Sequence, residues 1–441
     1  MDDNALHTRR RFLHQSMLGA ATSLTIPAFL ESTMNTLHAE SDSKPQTATG
    51  KENTILVVLQ LAGGNDGLNT VVPHGDDVYY QSRPNLGIKA DQLLKINDHL
   101  GLNDNLSFFN ELYQDGQLGI VQGVGYPNPN RSHFRSTEIW QTATDANAFA
   151  KTGWLGRYFD HACSGTAPNP TTGVAITQQQ PQSFMAAMNP GISVSQPDLY
   201  RWIQGRNPDE MAESFFREFN QPDEDAMMEG SGDSISEVSG GSRRSEEGNL
   251  DFLERVALDA QVSSDHILKL AQKHKGGGPA YPGSKLGKSL KLVSQMIAGG
   301  LDTRVFYVSH GGFDTHNNQA NSHGRLLKEL NDAVQAFTKD LKRQGNFDRV
   351  LLMTFSEFGR RVGENDNNGT DHGAAAPLFV IGGGVKGGLY GTHPSLTELH
   401  RGDLKFTVDF RSAYATVLDN WLKSPVQKII GKPFEKLGFL G

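Results

Sequence analysis

Short apolar runs, each closed by glycine or a polar turn, punctuate the chain. Residues 55–61 (ILVVLQL) are almost continuously apolar and stop at Gly63 and Gly64. Residues 118–124, 305–308, 350–354 and 377–382 repeat the design. Runs of this length describe strands buried on both faces, as in a parallel sheet. Helical patterns lie between them, over 106–115, 285–298 and 325–344. In the last, Leu326, Leu330, Val334, Phe337 and Leu341 recur at steps of three and four, the spacing of one buried helix face. Strands alternating with helices predict an α/β fold built on a mainly parallel sheet.

The polar stretches set the boundaries. Thr8-Arg9-Arg10-Arg11-Phe12-Leu13-His14 precedes a modest apolar run from Met17 to Leu30, which is too short to span a bilayer. This layout predicts a removable signal over residues 1–39, read by the twin-arginine export machinery. The expected location is therefore periplasmic or secreted, with no stable membrane anchor. Residues 40–53 read as a disordered lead-in. Residues 221–248 are acidic and rich in serine and glycine, too poor in apolar groups to offset chain entropy, and predict a flexible insertion. Residues 249–272 read as a helix packed back on the main body. A single domain over 54–441 fits this pattern.

Composition narrows the function. Net charge is −8, and no basic cluster follows the signal, so nucleic acid is not an expected partner. A single cysteine, Cys163, excludes an internal disulfide and any multi-cysteine metal site. A redox role finds no support: GxGxxG is missing after the first strand, and so is CxxCH.

The candidate chemistry follows the predicted strands, where open α/β sheets bind ligands. Gly63-Gly64-Asn65-Asp66-Gly67 follows the first, with Asp66 in an exposed turn or an Asx-turn. The second leads to Asn130-Arg131-Ser132-His133-Phe134-Arg135. There Ser132 is a candidate N-cap at a helix start that favours an oxyanion. Arg131 and Arg135 would suit a phosphate or sulfate oxygen. Next comes His310-Gly311-Gly312-Phe313-Asp314-Thr315-His316, with His323 beyond it, and imidazole with carboxylate suits zinc and similar ions. Glu357, Asp371 and His372 extend the ligand inventory, although Glu357 has the alternative of pairing with Arg360 in a turn.

The segments LAGGNDGLN, NRSHF, GGFDTH, TFSEFGR and GTDHG resemble, in this order, the domain-of-unknown-function family 1501. That family is similar in outline to the alkaline phosphatase and sulfatase superfamily. The resemblance covers nearly all the chain after residue 53. It implies an alkaline-phosphatase-like three-layer sandwich, with a metal site at the carboxyl ends of the strands. On this resemblance Asp66 ligates one metal and Ser132 is the helix-capping nucleophile. Asp314, His316 and His372 serve the other metal, and Glu357 stands where the superfamily has an aspartate followed by histidine. The chain departs from the pattern at Phe358, which replaces that histidine, and in the close spacing of Asp314 and His316. Asp371 or His323 could supply the missing ligand.

The expected function is therefore an exported metal-dependent hydrolase of phosphate or sulfate esters, acting on a small-molecule or polysaccharide ester. Zinc is the expected ion, one or two per chain, with calcium or manganese as alternatives. A formylglycine sulfatase is disfavoured, since no Cys/Ser-x-Pro-x-Arg run lies near Ser132 or Cys163. The second reading is a non-catalytic binding or assembly protein on the same scaffold with a degenerate metal site.

Overall fold

The computed structural model describes residues 54–164, 170–194 and 278–441. The signal, the lead-in, the 221–248 insertion and the 249–272 helix lie outside the described residues. Among the described residues the strands are β1 Ile55–Ala62, β2 Val71–Val72, β3 Leu93–Lys95, β4 Gly101–Asn103, β5 Leu118–Gly125, β6 Gly173–Ile176, β7 Ile192–Ser193, β8 Val305–Gly311, β9 Val350–Phe355, β10 Ala376–Ile381, β11 Gly388–Tyr390 and β12 Val408–Asp409. The helices used below are α1 Asp77–Ser82, α2 Ser107–Gln114, α3 His133–Thr142, α4 Trp154–Ala162, α5 Lys285–Ala298, α6 Gln319–Gln344, α7 Phe410–Thr416 and α8 Val426–Ile430.

The central sheet runs β11-β5-β10-β9-β1-β8-β6-β7, with β12 also paired to β5. β1 pairs in parallel with both β8 and β9, which places the first apolar run at the heart of the sheet. Its residues alternate between two cores. Ile55, Val57, Leu59 and Leu61 face α2, α5 and α6. Leu56 and Val58 face α3, α4, α7 and α8. Each fully buried aliphatic side chain adds roughly 1.5–3 kcal/mol, and burial on both faces is why these strands read as continuous apolar runs. The result is the expected three-layer α/β sandwich. A separate small antiparallel sheet, β2-β4-β3, had no counterpart in the apolar pattern.

Two details matter for function. β10 runs antiparallel to both β5 and β9, so its first residue lies at the rim where the other strands end. The polar segment just before β10 is thereby delivered to the same rim as the segments just after β1, β8 and β9. The second detail is the length of α6. It starts at Gln319 rather than at residue 325, because its first turns are polar and carry no apolar period. Asn318, at φ 44°, turns the chain into it.

Candidate functional site

Glycine makes the rim. Gly63 sits at φ +119°, and a Cβ there would lie 2.4 Å from the Asp314 backbone nitrogen. Only glycine lets the loop after β1 pass this close to the loop after β8. The Gly63 N–H then donates to Glu357 Oε1 at 2.8 Å, tying in the loop after β9.

Three imidazoles and one carboxylate converge above these loops. His372 Nε2 lies 3.0 Å from Asp314 Oδ1 and 2.9 Å from His316 Nε2. His316 Nε2 is itself 3.0 Å from Asp314 Oδ1. His133, the first residue of α3, brings Nε2 to 3.4 Å from Asp314 Oδ2. One ligand atom each from His133, Asp314 and His372 lies within 4.8 Å of the other two.

The far side of each ring is anchored. His372 Nδ1 is 2.9 Å from the Arg131 carbonyl oxygen, which can only accept, so Nδ1 carries the proton. His133 Nδ1 is 2.9 Å from Glu357 Oε1 and donates to that carboxylate. His316 Nδ1 faces Asp371 Oδ1 at 3.5 Å. In the neutral rings the Nε2 lone pairs therefore point inward, at one another and at Asp314. Acceptors packed so closely need a proton or a cation between them. Carboxylate or carbonyl on Nδ1 with a free Nε2 is also the outer-shell pattern of metal-ligating histidines. His133 Nε2 and Glu357 Oε2 are buried without a hydrogen-bond partner. The donor set of imidazole nitrogen and carboxylate oxygen thus fits a divalent ion of the zinc type.

Electrostatics agree. Burial pushes the Asp314 carboxyl up, but the hydrogen bond and charge of Arg360, with the imidazoles of His372 and His316 beside it, outweigh burial and hold the group down at about 2. The hydrogen bond to Glu357 raises His133, against the opposing effect of burial. Asp314 and Glu357 together outweigh the single Arg360 charge, so an anionic substrate would be repelled unless a cation joined the site.

Arg360 is the organiser that the sequence did not reveal. It is buried, and donates to the carbonyls of Gly64 at 2.6 Å, Thr370 at 2.8 Å and Phe313 at 2.9 Å. It also holds Asp314 Oδ1 at 2.9 Å. Its carboxylate partner is therefore Asp314, not Glu357. Phe358 is buried and packs its ring 4.9 Å from His133 and 4.6 Å from His372, an apolar wall against both imidazoles, which themselves touch with centroids 4.5 Å apart.

The remaining expected site residues fall elsewhere. Asp66 is buried in a two-point ion pair with Arg83, at 2.6 and 3.0 Å, and also accepts from Gln319 and from the Leu68 N–H. Burial raises its pKa, but Arg83 more than compensates and keeps the carboxyl below its usual range. His323 lies in the same buried network, with Nε2 2.9 Å from Asn65 Oδ1. Burial lowers its pKa to about 4. Both groups stand apart from the imidazole cluster. Arg131 is engaged by Asp403 and Arg135 by Glu138 at 2.6 Å, so neither guanidinium is directed at the cluster. Ser132 is exposed at the N-cap of α3 and its hydroxyl makes no capping bond. His133 was missed because NRSHF was read for its serine and arginines. Its imidazole directly after a candidate N-cap was the available signal.

An open cleft of about 520 Å³ adjoins Asp314, His133 and Glu357 and runs along Gln60, Phe134 and Gln141.

The family described as "Protein of unknown function (DUF1501)" matches residues 253–421, a narrower span than the motif resemblance. No curated protein sequence matches this chain. Solved structures similar to it include a protein in the alkaline phosphatase superfamily from Vibrio parahaemolyticus, at 11% identity and a TM-score of 0.36, covering 92% of this chain and 79% of that one. Alkaline phosphatase from the Antarctic bacterium TAB5 gives 14% identity and a TM-score of 0.29, covering 76% and 93%. A sulfatase, PsFucS1, from Pseudoalteromonas sp. gives 12% and 0.31, covering 82% and 67%. Likenesses this distant transfer no residue's role to this chain. Among the described residues, no helix is long and apolar enough to cross a membrane.

Proposed function

We propose that this chain, a DUF1501 member through its residues 253–421, is a metal-dependent hydrolase of phosphate or sulfate esters, exported by the twin-arginine route. The observation that carries this reading is the convergence of three Nε2 atoms on Asp314, with each ring anchored from behind. His133, His316, His372 and Asp314 would hold the ion. When bound, it supplies positive charge for the ester oxygens and lowers the pKa of a neighbouring hydroxyl or water.

The chain's own residues do the positioning. Glu357 keeps the His133 proton on Nδ1, Arg131 does the same for His372 through its carbonyl, and Arg360 fixes Asp314. Ser132, exposed beside His133 at the start of α3, is the nucleophile of this proposal. It attacks phosphorus or sulfur as the alcohol leaves, and water then releases the acid from the serine. Partial positive charge at the helix start favours the anionic group. Ser132→Ala should abolish turnover of an aryl phosphate or aryl sulfate while metal content stays unchanged. Unchanged turnover would remove Ser132 from the mechanism.

A second reading, a binding protein without turnover, is favoured by one observation. Arg131 and Arg135 are committed to Asp403 and Glu138, which leaves neither to stabilise the transferring group. Metal bound at the site with no turnover of any tested ester would select it.

A further inference from the structure

The cleft beside the imidazole cluster has a floor with a fixed hydrogen-bond direction. The Ser183 N–H donates to Gln141 Oε1 at 3.3 Å. Gln141 Nε2 donates to the Tyr307 hydroxyl at 3.1 Å, and Tyr307 donates in turn to Gln60 Oε1 at 2.6 Å. Each link leaves the next only one role. Gln60 spends its carbonyl as an acceptor, so its remaining group is Nε2, a donor with two N–H bonds. That amide nitrogen has no partner among the described residues, although Gln60 is only 8% exposed. It lies near the end of β1 and lines the cleft together with Asp314 and Glu357. Facing the cleft, this amide donor is left for water or a ligand to complete.

The other walls describe the ligand. Phe134 is 91% exposed and lines the same cleft, an apolar ring face offered to solvent. Thr137 adds a hydroxyl, and Glu138 is neutralised by Arg135 at 2.6 Å. Away from the metal-type cluster the lining therefore carries no net charge, and amide, hydroxyl and aromatic surface stand beside the Arg135–Glu138 pair. Such a wall suits a group rich in neutral oxygens that also has an apolar face. A sugar ring meets both demands, whereas a simple alkyl chain would offer Gln60 Nε2 no acceptor.

We propose that the cleft binds the alcohol part of the ester as a sugar residue, with Gln60 Nε2 donating to a sugar oxygen and Phe134 stacking against the ring. Tyr307 is a positioning residue that holds the Gln60 amide in its donating orientation. The placement of the ester group rests on the hydrolase reading, but the sugar site itself needs no turnover.

The test uses the full-length protein and two readouts. Saturation-transfer NMR follows binding of methyl glycosides of glucose, mannose and galactose. Kinetics compare glucose 6-phosphate and glucose 6-sulfate with ethyl phosphate and ethyl sulfate. At least one glycoside should bind, about tenfold more weakly in Gln60→Ala, the size of one lost neutral hydrogen bond. Phe134→Ala, at an exposed position that leaves the core intact, should weaken the same glycoside similarly. The preference for sugar ester over ethyl ester should fall in both variants, and by less in Tyr307→Phe. Failure of every glycoside to bind, or equal binding by wild type and both variants, overturns the sugar site. Turnover of simple esters with no sugar preference also overturns it and leaves the hydrolase standing. Glycoside binding without turnover of any ester keeps the sugar site and removes the hydrolase.

Discussion

Glu357 Oε1 stands 2.9 Å from His133 Nδ1 and fixes which face of that imidazole is free. The same oxygen accepts the Gly63 N–H at 2.8 Å, so one carboxylate locks both a ring and the loop beneath it. Glu357→Gln keeps the shape but removes the charge that raises His133. Zinc affinity, read by competition with a chromogenic chelator, should fall about 10- to 100-fold, the usual effect of losing an outer-shell partner. Equal affinity in the variant would show that Glu357 does not support a ligand.

Gly63 tests the loop geometry. Gly63→Ala places a methyl group 2.4 Å from the Asp314 nitrogen at a φ of +119°, so the loop after β8 must move. Expected are a loss of stability of about 1–3 kcal/mol and weaker metal binding, measured by urea unfolding and by the same competition assay. A fully stable variant with native affinity would contradict the close approach.

Asp66 and Arg83 form an ion pair with both side chains fully buried. Removing one partner strands the other charge in the core. Arg83→Met should therefore cost about 3–5 kcal/mol in chemical denaturation. A cost below about 1 kcal/mol would mean that water reaches the pair.

His323 gives stability a pH dependence of known sign. Its pKa is about 4 in the fold and near 6.5 unfolded. Between these values the unfolded chain binds more protons, so stability falls as pH drops from about 6.5 towards 4. A displacement of this size corresponds to about 3 kcal/mol. His323→Gln, whose amide can still donate to Asn65, should flatten this part of the stability–pH curve. Denaturation midpoints at pH 7 and pH 4.5 that keep the wild-type difference would exclude His323 as the cause.

The sequence showed what burial on two faces makes visible. β1, β5, β8, β9 and β10 were legible because continuous apolar runs are their only solution. β6, β7, β11 and β12 are too short to carry a pattern, and β10 gave no sign of its antiparallel direction. In the site, Asp314, His316 and His372 stood out as clustered ligand types on glycine-rich loops. Asp66 looked equally suitable, yet its fate was set by Arg83, a partner in a loop that no local pattern links to it. Arg360 was hidden for a similar reason. Its role consists of backbone carbonyls gathered from three separate loops, and carbonyl positions leave no trace in residue identity.

The central claim is that His133, His316, His372 and Asp314 together hold a divalent ion. Elemental analysis of the full-length protein, purified without chelators, measures it directly. Close to one zinc or similar ion per chain is expected. Asp314→Ala combined with His372→Ala should nearly abolish that ion while circular dichroism stays unchanged. A folded wild-type protein that carries no metal and takes up none on dialysis against zinc, or a double variant that retains its ion, would contradict it.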